Sequence, residues 1–255
     1  MRTWWKDKKS NTIICIESFM RVLVLTTNTP HHIYFVKKIS KYYDINATLV
    51  EKECLTPSFN TYHPYEDERF EYERNELLKD ENLKFDNFSN TLEFNNINDK
   101  SCVKFISEQK PDVIISFGTG IIKNGIIDKC KQGIINLHGG DPQAYRGLDS
   151  HLWAIYHKEF SQLKVCLHRI NKVLDDGEII GLRSIEIKKN LELFMLRSEN
   201  TKICVDLTLS ALNKFEEKGF FTFFPQKTKG RYYSFMPNVL KEICLTNFNK
   251  YVRTL

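Results

Sequence analysis

The sequence predicts an α/β protein, a doubly wound and mostly parallel sheet with a small C-terminal α+β appendage. Three observations carry that expectation. Residues 21–26, 112–117 and 133–138 are apolar runs rich in β-branched side chains, as strands covered on both faces are. Ile33, Val36 and Ile39 recur at helical spacing between the first run and a second strand at 46–50. Breakers stand where the chain must reverse: Thr27-Asn-Thr-Pro30 after the first run, Gly118-Thr119-Gly120 after the run at 112–117. A β-α-β opening of this kind begins a doubly wound sheet.

In chain order, residues 1–19 read as an N-terminal extension. Their apolar run at 12–16 is too short for a signal-peptide core, and no small-residue cleavage site follows. The main unit spans 20–185, with a helix at 31–43. Its insert, 51–100, is too long for a simple loop and is expected to carry helices that line or cover a site. The stretch 66–79 alternates charges densely, which predicts a helix with a solvated face. Short helices follow at 121–131 and 150–156, and strands at 164–170 and 184–188. The C-terminal region, 186–255, holds one long helix at 191–218, then a small strand pair near 230–234 with a closing helix. The aromatic cluster at 221–224 reads as core.

Hydrophobic residues make up 42% and charged residues 27%, ordinary for a soluble globular chain. The net charge of +5 is spread along the chain; it suits an anionic ligand and lacks the basic blocks of a nucleic-acid binder. No apolar run reaches the roughly 18 residues of a membrane helix. The seven cysteines are scattered, without C-x-x-C pairs, and read as buried thiols in a reducing compartment rather than a metal site. A cytoplasmic protein with neither membrane nor nucleic-acid partner is expected.

Asn136 and His138 end the run at 133–138, and their spacing of two puts both on one face, with Ile135 and Leu137 on the other. Ligands of open α/β sheets bind outside the carboxyl ends of the strands. By itself a strand-end Asn-x-His is more often a polar cap than a site. The sequel shifts that balance: a tight Gly139-Gly140-Asp141-Pro142 loop, a polar stretch Tyr145-Arg146-Gly147-Leu148-Asp149-Ser150-His151, and an acidic turn Leu174-Asp175-Asp176-Gly177-Glu178 between apolar flanks. An amide, an imidazole and a carboxylate at strand ends can supply a carbonyl-polarising donor, a base and its orienter.

Asn136-Leu-His138, Tyr145-Arg-Gly147 and Leu174-Asp-Asp-Gly-Glu178-Ile-Ile together resemble the signature of folate-dependent formyltransferases, over roughly residues 20–185. The resemblance implies a Rossmann-like formyltransferase core at 20–185 and 10-formyltetrahydrofolate as donor, with no metal. It implies Asn136, His138 and Asp175 as the catalytic set, Asp175 being the aspartate two before the glycine. In that set Asn136 and His138 stabilise an oxyanion, and His138 or a water relay takes the amine proton. Asp175 orients His138 and favours its charged form. Phe117, Gly118, Thr119, Gly120 and Asp176 are the corresponding folate-side candidates, although Gly118-Thr-Gly120 reads equally as a plain turn.

The Gly-Gly-Asp-Pro sequel to His138 departs from the tRNA and purine enzymes. It is similar to the sugar N-formyltransferases, particularly those acting on dTDP-4-amino-4,6-dideoxyglucose for surface polysaccharides, and a homodimer is expected. Acceptor contacts are then expected from three segments outside the shared core: Tyr62, Tyr65 and Arg69 in the insert; Gly139, Gly140, Asp141, Arg146, Asp149 and His151 in the loop; Tyr232 in the tail. Arg146 suits a phosphate or a neighbouring carboxylate. For His31 and His32 a surface or capping role is favoured over sugar contact. The alternatives are a purine-type small-molecule transformylase and a catalytically silent folate or nucleotide-sugar binding protein.

Overall fold

The computed structural model describes residues 20–53, 55–130 and 133–255 in full, with the backbone of 2–6 and 13–17. Arg2–Lys6 (β1) and Ile13–Glu17 (β2) pair antiparallel. The reading of the other residues in 1–19, and of Lys131 as a helix end, lies outside the described residues.

The main chain of strands is Val22–Thr27 (β3), Ile45–Glu51 (β4), Thr91–Phe94 (β5), Val113–Phe117 (β6), Ile134–His138 (β7), Tyr145–Gly147 (β8), Lys164–Arg169 (β9), Ile179–Ser184 (β10) and Arg231–Tyr233 (β11). Seven of them form the central sheet in the order β10-β9-β7-β6-β3-β4-β5. The five from β7 to β5 are parallel, and β9 and β10 extend the sheet antiparallel.

Helices cover both faces: Pro30–Ile39 (α1), Tyr65–Leu78 (α2), Lys100–Gln109 (α3), Asn124–Ile127 (α4), Ser150–Tyr156 (α5), Leu196–Lys218 (α6) and Asn238–Val252 (α7). The strand alternation sorts side chains between two cores. Val22, Val24, Ile115, Ile135 and Leu137 pack with Phe35 and Val36 of α1 and Leu212 and Phe215 of α6. Leu23, Leu25, Ile114 and Ile134 pack with Cys102 and Ile106 of α3 and Ile126 of α4. Burial on both faces is why the strands read as unbroken apolar runs. Each such side chain contributes about 1.5–3 kcal/mol.

Several expectations are corrected. The insert does more than carry helices, since its β5 hydrogen-bonds to β4 as an edge strand. The strand expected at 184–188 lies earlier, at Ile179–Ser184, where it pairs with β9 through an irregular register. That edge strand is largely exposed, so it lacks the apolar run that marks its neighbours. The tail strand does not pair locally: β11 runs parallel to β8, which precedes it by more than eighty residues. The long helix starts only at Leu196, after a 3-10 turn at Leu193–Met195.

Nor is the charged helix α2 simply solvated. Glu73 is wholly buried, and Arg197 of α6 donates to both its carboxylate oxygens at 2.6 and 2.7 Å. His31 Nδ1 lies 3.5 Å from the same carboxylate. This pair joins α1, α2 and α6. Removing one partner of a buried pair leaves the other charge stranded. Arg197 keeps 31% of its side chain exposed, which softens the loss. Glu73→Ala is expected to cost about 2–3 kcal/mol, read from the urea midpoint at constant m-value. A change below about 0.5 kcal/mol would show that the pair does not join these helices energetically.

Candidate functional site

The site forms where β7, β9 and the loops after β6 and β9 meet. β7 presents Asn136 and His138, while Ile135 and Leu137 enter the core under α1 and α6. β9 runs antiparallel beside it with His168 directly opposite Asn136, so the two side chains share a face. The loop leaving β9 then returns Asp175, which has a left-handed backbone (φ 50°).

Hydrogen bonds assign the rings. His138 Nε2 is 2.9 Å from the Tyr145 carbonyl. A carbonyl only accepts, so Nε2 carries the proton and Nδ1 of the neutral ring keeps its lone pair. By the same logic His168 Nδ1 donates to the Arg169 carbonyl at 2.9 Å. Its Nε2 then accepts from Asn136 Nδ2 at 3.2 Å. One N–H of the Asn136 amide is thereby spent and its second remains available.

Asp175 sits between the two imidazoles. Its Oδ2 accepts from the Gly147 N–H at 2.8 Å and lies 3.8 Å from His138 Nδ1, while Oδ1 lies 3.5 Å from His168 Nε2. Burial pushes its carboxyl up, but the positive charge that His138 and His168 carry when protonated, together with the Gly147 N–H, outweighs that and holds it well below the usual carboxylate range. His138 goes the other way. Burial lowers its pKa, and the opposing pull of Asp175 does not restore it. The resting ring is therefore neutral: Asp175 does favour its charged form, and burial outweighs that pull.

The frame around Asp175 is tightly held. Gln226 Nε2 donates to the carbonyls of Asp175 and Gly177 at 2.9 and 2.8 Å, and Arg146 Nε to that of Leu174 at 3.2 Å. Gly147 has φ +89°, and a Cβ there would stand 2.1 Å from the Tyr233 carbonyl of β11. Only glycine brings its N–H to Asp175 at that spot.

Two cavities open onto this cluster and share Gly118, Leu137, His138, Gly139, Gly147 and Leu148 as wall. The first, about 230 Å³, is bounded by Gly118–Gly120, Ile121, Ile122, Asn136, His168, Ile170, Val173, Leu174 and Asp175. Buried Glu51 fixes its glycine wall by accepting from the Gly120 N–H at 2.7 Å. The second, about 680 Å³, runs toward α1, α2 and α6, past His31, His32, Tyr65, Arg69, Asp149, His151, Arg197 and Asn200.

The expected residues divide accordingly. Asn136, His138 and Asp175 come together, as do Gly118, Thr119 and Gly120 on the first cavity. Tyr65, Arg69, Gly139, Asp149 and His151 line the second. Phe117 belongs to the second cavity, where its ring packs edge-on against His32, and Tyr232 to the first. Five candidates line neither. Tyr62 is exposed and donates to Asp67. Asp141 is buried and held by Lys164 at 3.0 Å. Arg146 is buried and spends its Nε on Leu174. Gly140 packs behind His138 Nε2, and Asp176 faces Lys229 at 3.9 Å.

The sequence reading missed His168, Arg197 and Asn200 and undervalued His31 and His32. Both α1 histidines are buried in the second cavity's wall, not on the surface. The available signal for His168 was register: a polar residue inside an apolar strand, opposite Asn136.

Residues 20–198 match the family model described as Formyl transferase. A curated relative, the bifunctional polymyxin resistance protein ArnA of Wigglesworthia glossinidia brevipalpis, is 36% identical over 95 residues, which are 37% of this chain and only 14% of that protein. Among solved structures, a sugar N-formyltransferase from Shewanella sp FDAARGOS_354 superposes with a TM-score of 0.60 at 14% identity, covering 90% of this chain and 87% of that one. The formyltransferase PseJ from Anoxybacillus kamchatkensis, in complex with UDP-4,6-dideoxy-4-formamido-L-AltNAc and tetrahydrofolate, gives 0.51 at 20% identity, covering 84% and 85%. At these identities the structural likenesses show the fold.

Burial lowers the pKa of His31, His32, His138 and His151, the last to about 4. Below pH 6.5 the unfolded chain therefore binds protons that the folded chain refuses, so stability is full above that pH and falls below it. For His151 the window runs from 6.5 down to about 4. The urea midpoint is expected to drop between pH 7 and pH 5, and the drop to shrink in His151→Gln by roughly 1 kcal/mol per pH unit. An identical drop in both proteins would contradict the assignment of His151 as a buried neutral ring.

Proposed function

The chain belongs to the formyl transferase family, and from that membership we propose that it transfers a formyl group from 10-formyltetrahydrofolate to the amine of a nucleotide-linked amino sugar. The observation that supports this most is the meeting of two cavities at His138, with Asn136 and Asp175 beside it. A donor and an acceptor can reach the same polar cluster from separate sides.

The first cavity suits the folate. Its walls are apolar at Leu55, Ile121, Ile122, Ile170, Val173 and Leu174, and its glycine edge exposes backbone groups, as a flat heteroaromatic ring with polar edges needs. That cosubstrate supplies the formyl group. The larger cavity, with Tyr65 for stacking and Arg69 and Arg197 for phosphate, suits a nucleotide-linked sugar. The Gly139–Asp141 loop favours dTDP-4-amino-4,6-dideoxyglucose within that class, on its similarity to enzymes that use it.

Asn136 turns its unspent N–H toward the formyl oxygen and stabilises the oxyanion that develops as the amine attacks. His168 fixes the amide in that orientation. Neutral His138 accepts the amine proton at Nδ1. Asp175, 3.8 Å away, then faces a cation it is charged to stabilise. With Nε2 committed to Tyr145, His138 hydrogen-bonds the oxyanion only after taking that proton. As the adduct collapses and the donor's formyl C–N bond breaks, the same Nδ1–H is returned to the departing nitrogen, which leaves as neutral tetrahydrofolate.

Formylation of dTDP-, UDP- and GDP-linked amino sugars, with glycinamide ribonucleotide as comparison, tests the reading. Turnover of a nucleotide sugar supports it; turnover of glycinamide ribonucleotide alone overturns it. With the sugar identified, Asn136→Ala is expected to lower kcat by about 10²–10³ while both KM values stay within roughly threefold. A large rise in KM at unchanged kcat would make Asn136 a binding residue instead.

A further inference from the structure

The larger cavity contains a polar group that neither the fold nor the proposed catalytic steps use. Asn200, on the second turn of α6, is 6% exposed, and its Oδ1 is buried without a hydrogen-bond partner in the protein. Its Nδ2 is held by Cys204 Sγ at 3.7 Å, one helical turn further on. That contact assigns the Nδ2 end and leaves Oδ1 as the unpartnered end. The side chain lines the cavity. It reaches close to Gly139, where a built Cβ would stand 3.5 Å from Oδ1 and 3.3 Å from the His151 ring. Gly139 follows His138 directly in the chain, and Asn200, Gly139 and His138 line the same cavity.

A second residue of the same wall also carries an unpartnered buried atom. Arg69 Nε is buried without a partner although the guanidinium is held by Glu66 at 3.1 Å. Two residues of the cavity wall, Asn200 on α6 and Arg69 on α2, thus each bury one polar atom, an acceptor and a donor, without a partner in the protein. Buried polar atoms are almost always paired, and the exceptions call for an account. Here both are satisfied together if a ligand with hydroxyl or amide hydrogens and anionic oxygens occupies the cavity.

We propose that Asn200 is a specificity-determining residue of the acceptor site, whose side-chain amide hydrogen-bonds the hydroxyl or acylamino group next to the reacting amine of the sugar. The inference rests on the reading of this cavity as the sugar-nucleotide site. α6 then contributes a wall to that site through Arg197 and Asn200, which lie three residues apart on one helix face. Every residue expected there from the sequence lies outside α6.

The test compares the wild-type enzyme and Asn200→Leu with two acceptors: the amino-sugar nucleotide the enzyme turns over, and its analogue deoxygenated beside the amine. In Asn200→Leu, KM for the full acceptor is expected to rise about tenfold, with kcat and the KM for 10-formyltetrahydrofolate nearly unchanged. Deleting the neighbouring group should cost the wild type a similar factor and the variant almost nothing, the signature of one shared interaction. Leucine also removes a buried amide oxygen that has no partner, at the loss of only the long Nδ2–Sγ contact, so Tm should stay level or rise. A merely structural Asn200 would lower Tm and leave the difference between acceptors intact, which overturns the proposal. If Asn200→Leu does not fold, the wild-type comparison decides: equal KM for the two acceptors overturns it. If wild type turns over no amino-sugar nucleotide, the underlying reading of the cavity has failed instead.

Discussion

A carboxylate kept inside a protein must be surrounded by donors, and the placement of Asp175 governs much of what is built around it. One oxygen takes the Gly147 N–H, and the imidazoles of His138 and His168 flank the group. The Gly147 N–H is in place because β8 pairs with β11 across a glycine that no other residue could replace. The loop that carries Asp175 in a left-handed conformation is held by Gln226, from the same tail. A tail far from β7 in sequence is thus part of the site's frame, although neither Gln226 nor Gly147 is equipped for chemistry.

The same charge organises the imidazoles. Burial makes His138 costly to protonate, and Asp175 lies where a proton arriving at that ring meets its nearest counter-charge. His168, with its outer nitrogen tied to Arg169, serves Asn136 instead, holding the amide of a residue that lines the first cavity. Two strands in antiparallel register thereby make one device. β7 supplies Asn136 and His138, and β9 supplies the ring that holds the Asn136 amide.

The β-α-β opening and the covered sheet were legible in apolar runs and breakers, and Asn136 and His138 share a face through their spacing of two. Asp175 was set beside them only by the resemblance of its Asp-Asp-Gly turn to a family signature. What was not legible depends on tertiary approach. Glu73 looks like any member of a charged helix until Arg197 arrives from α6, more than a hundred residues later. His168 is one polar residue in a strand until register sets it against Asn136. Arg146 and Asp141 carry charges that suit a ligand, but the fold spends them on Leu174 and Lys164. Edge strands β5 and β10 lack the doubly buried signature and so escaped the pattern that found their neighbours.

The central claim is that the Asp175 charge, through His138, drives transfer of the formyl group to an amine. Single-turnover formylation by Asp175→Asn, with both substrates at saturating concentration, tests it most directly. The substitution preserves shape and an acceptor for the Gly147 N–H while removing the charge. The account predicts a rate at least 10² below wild type with both ligands still bound, as expected for a group that acts on the transition state. A near wild-type rate with bound ligands would contradict it.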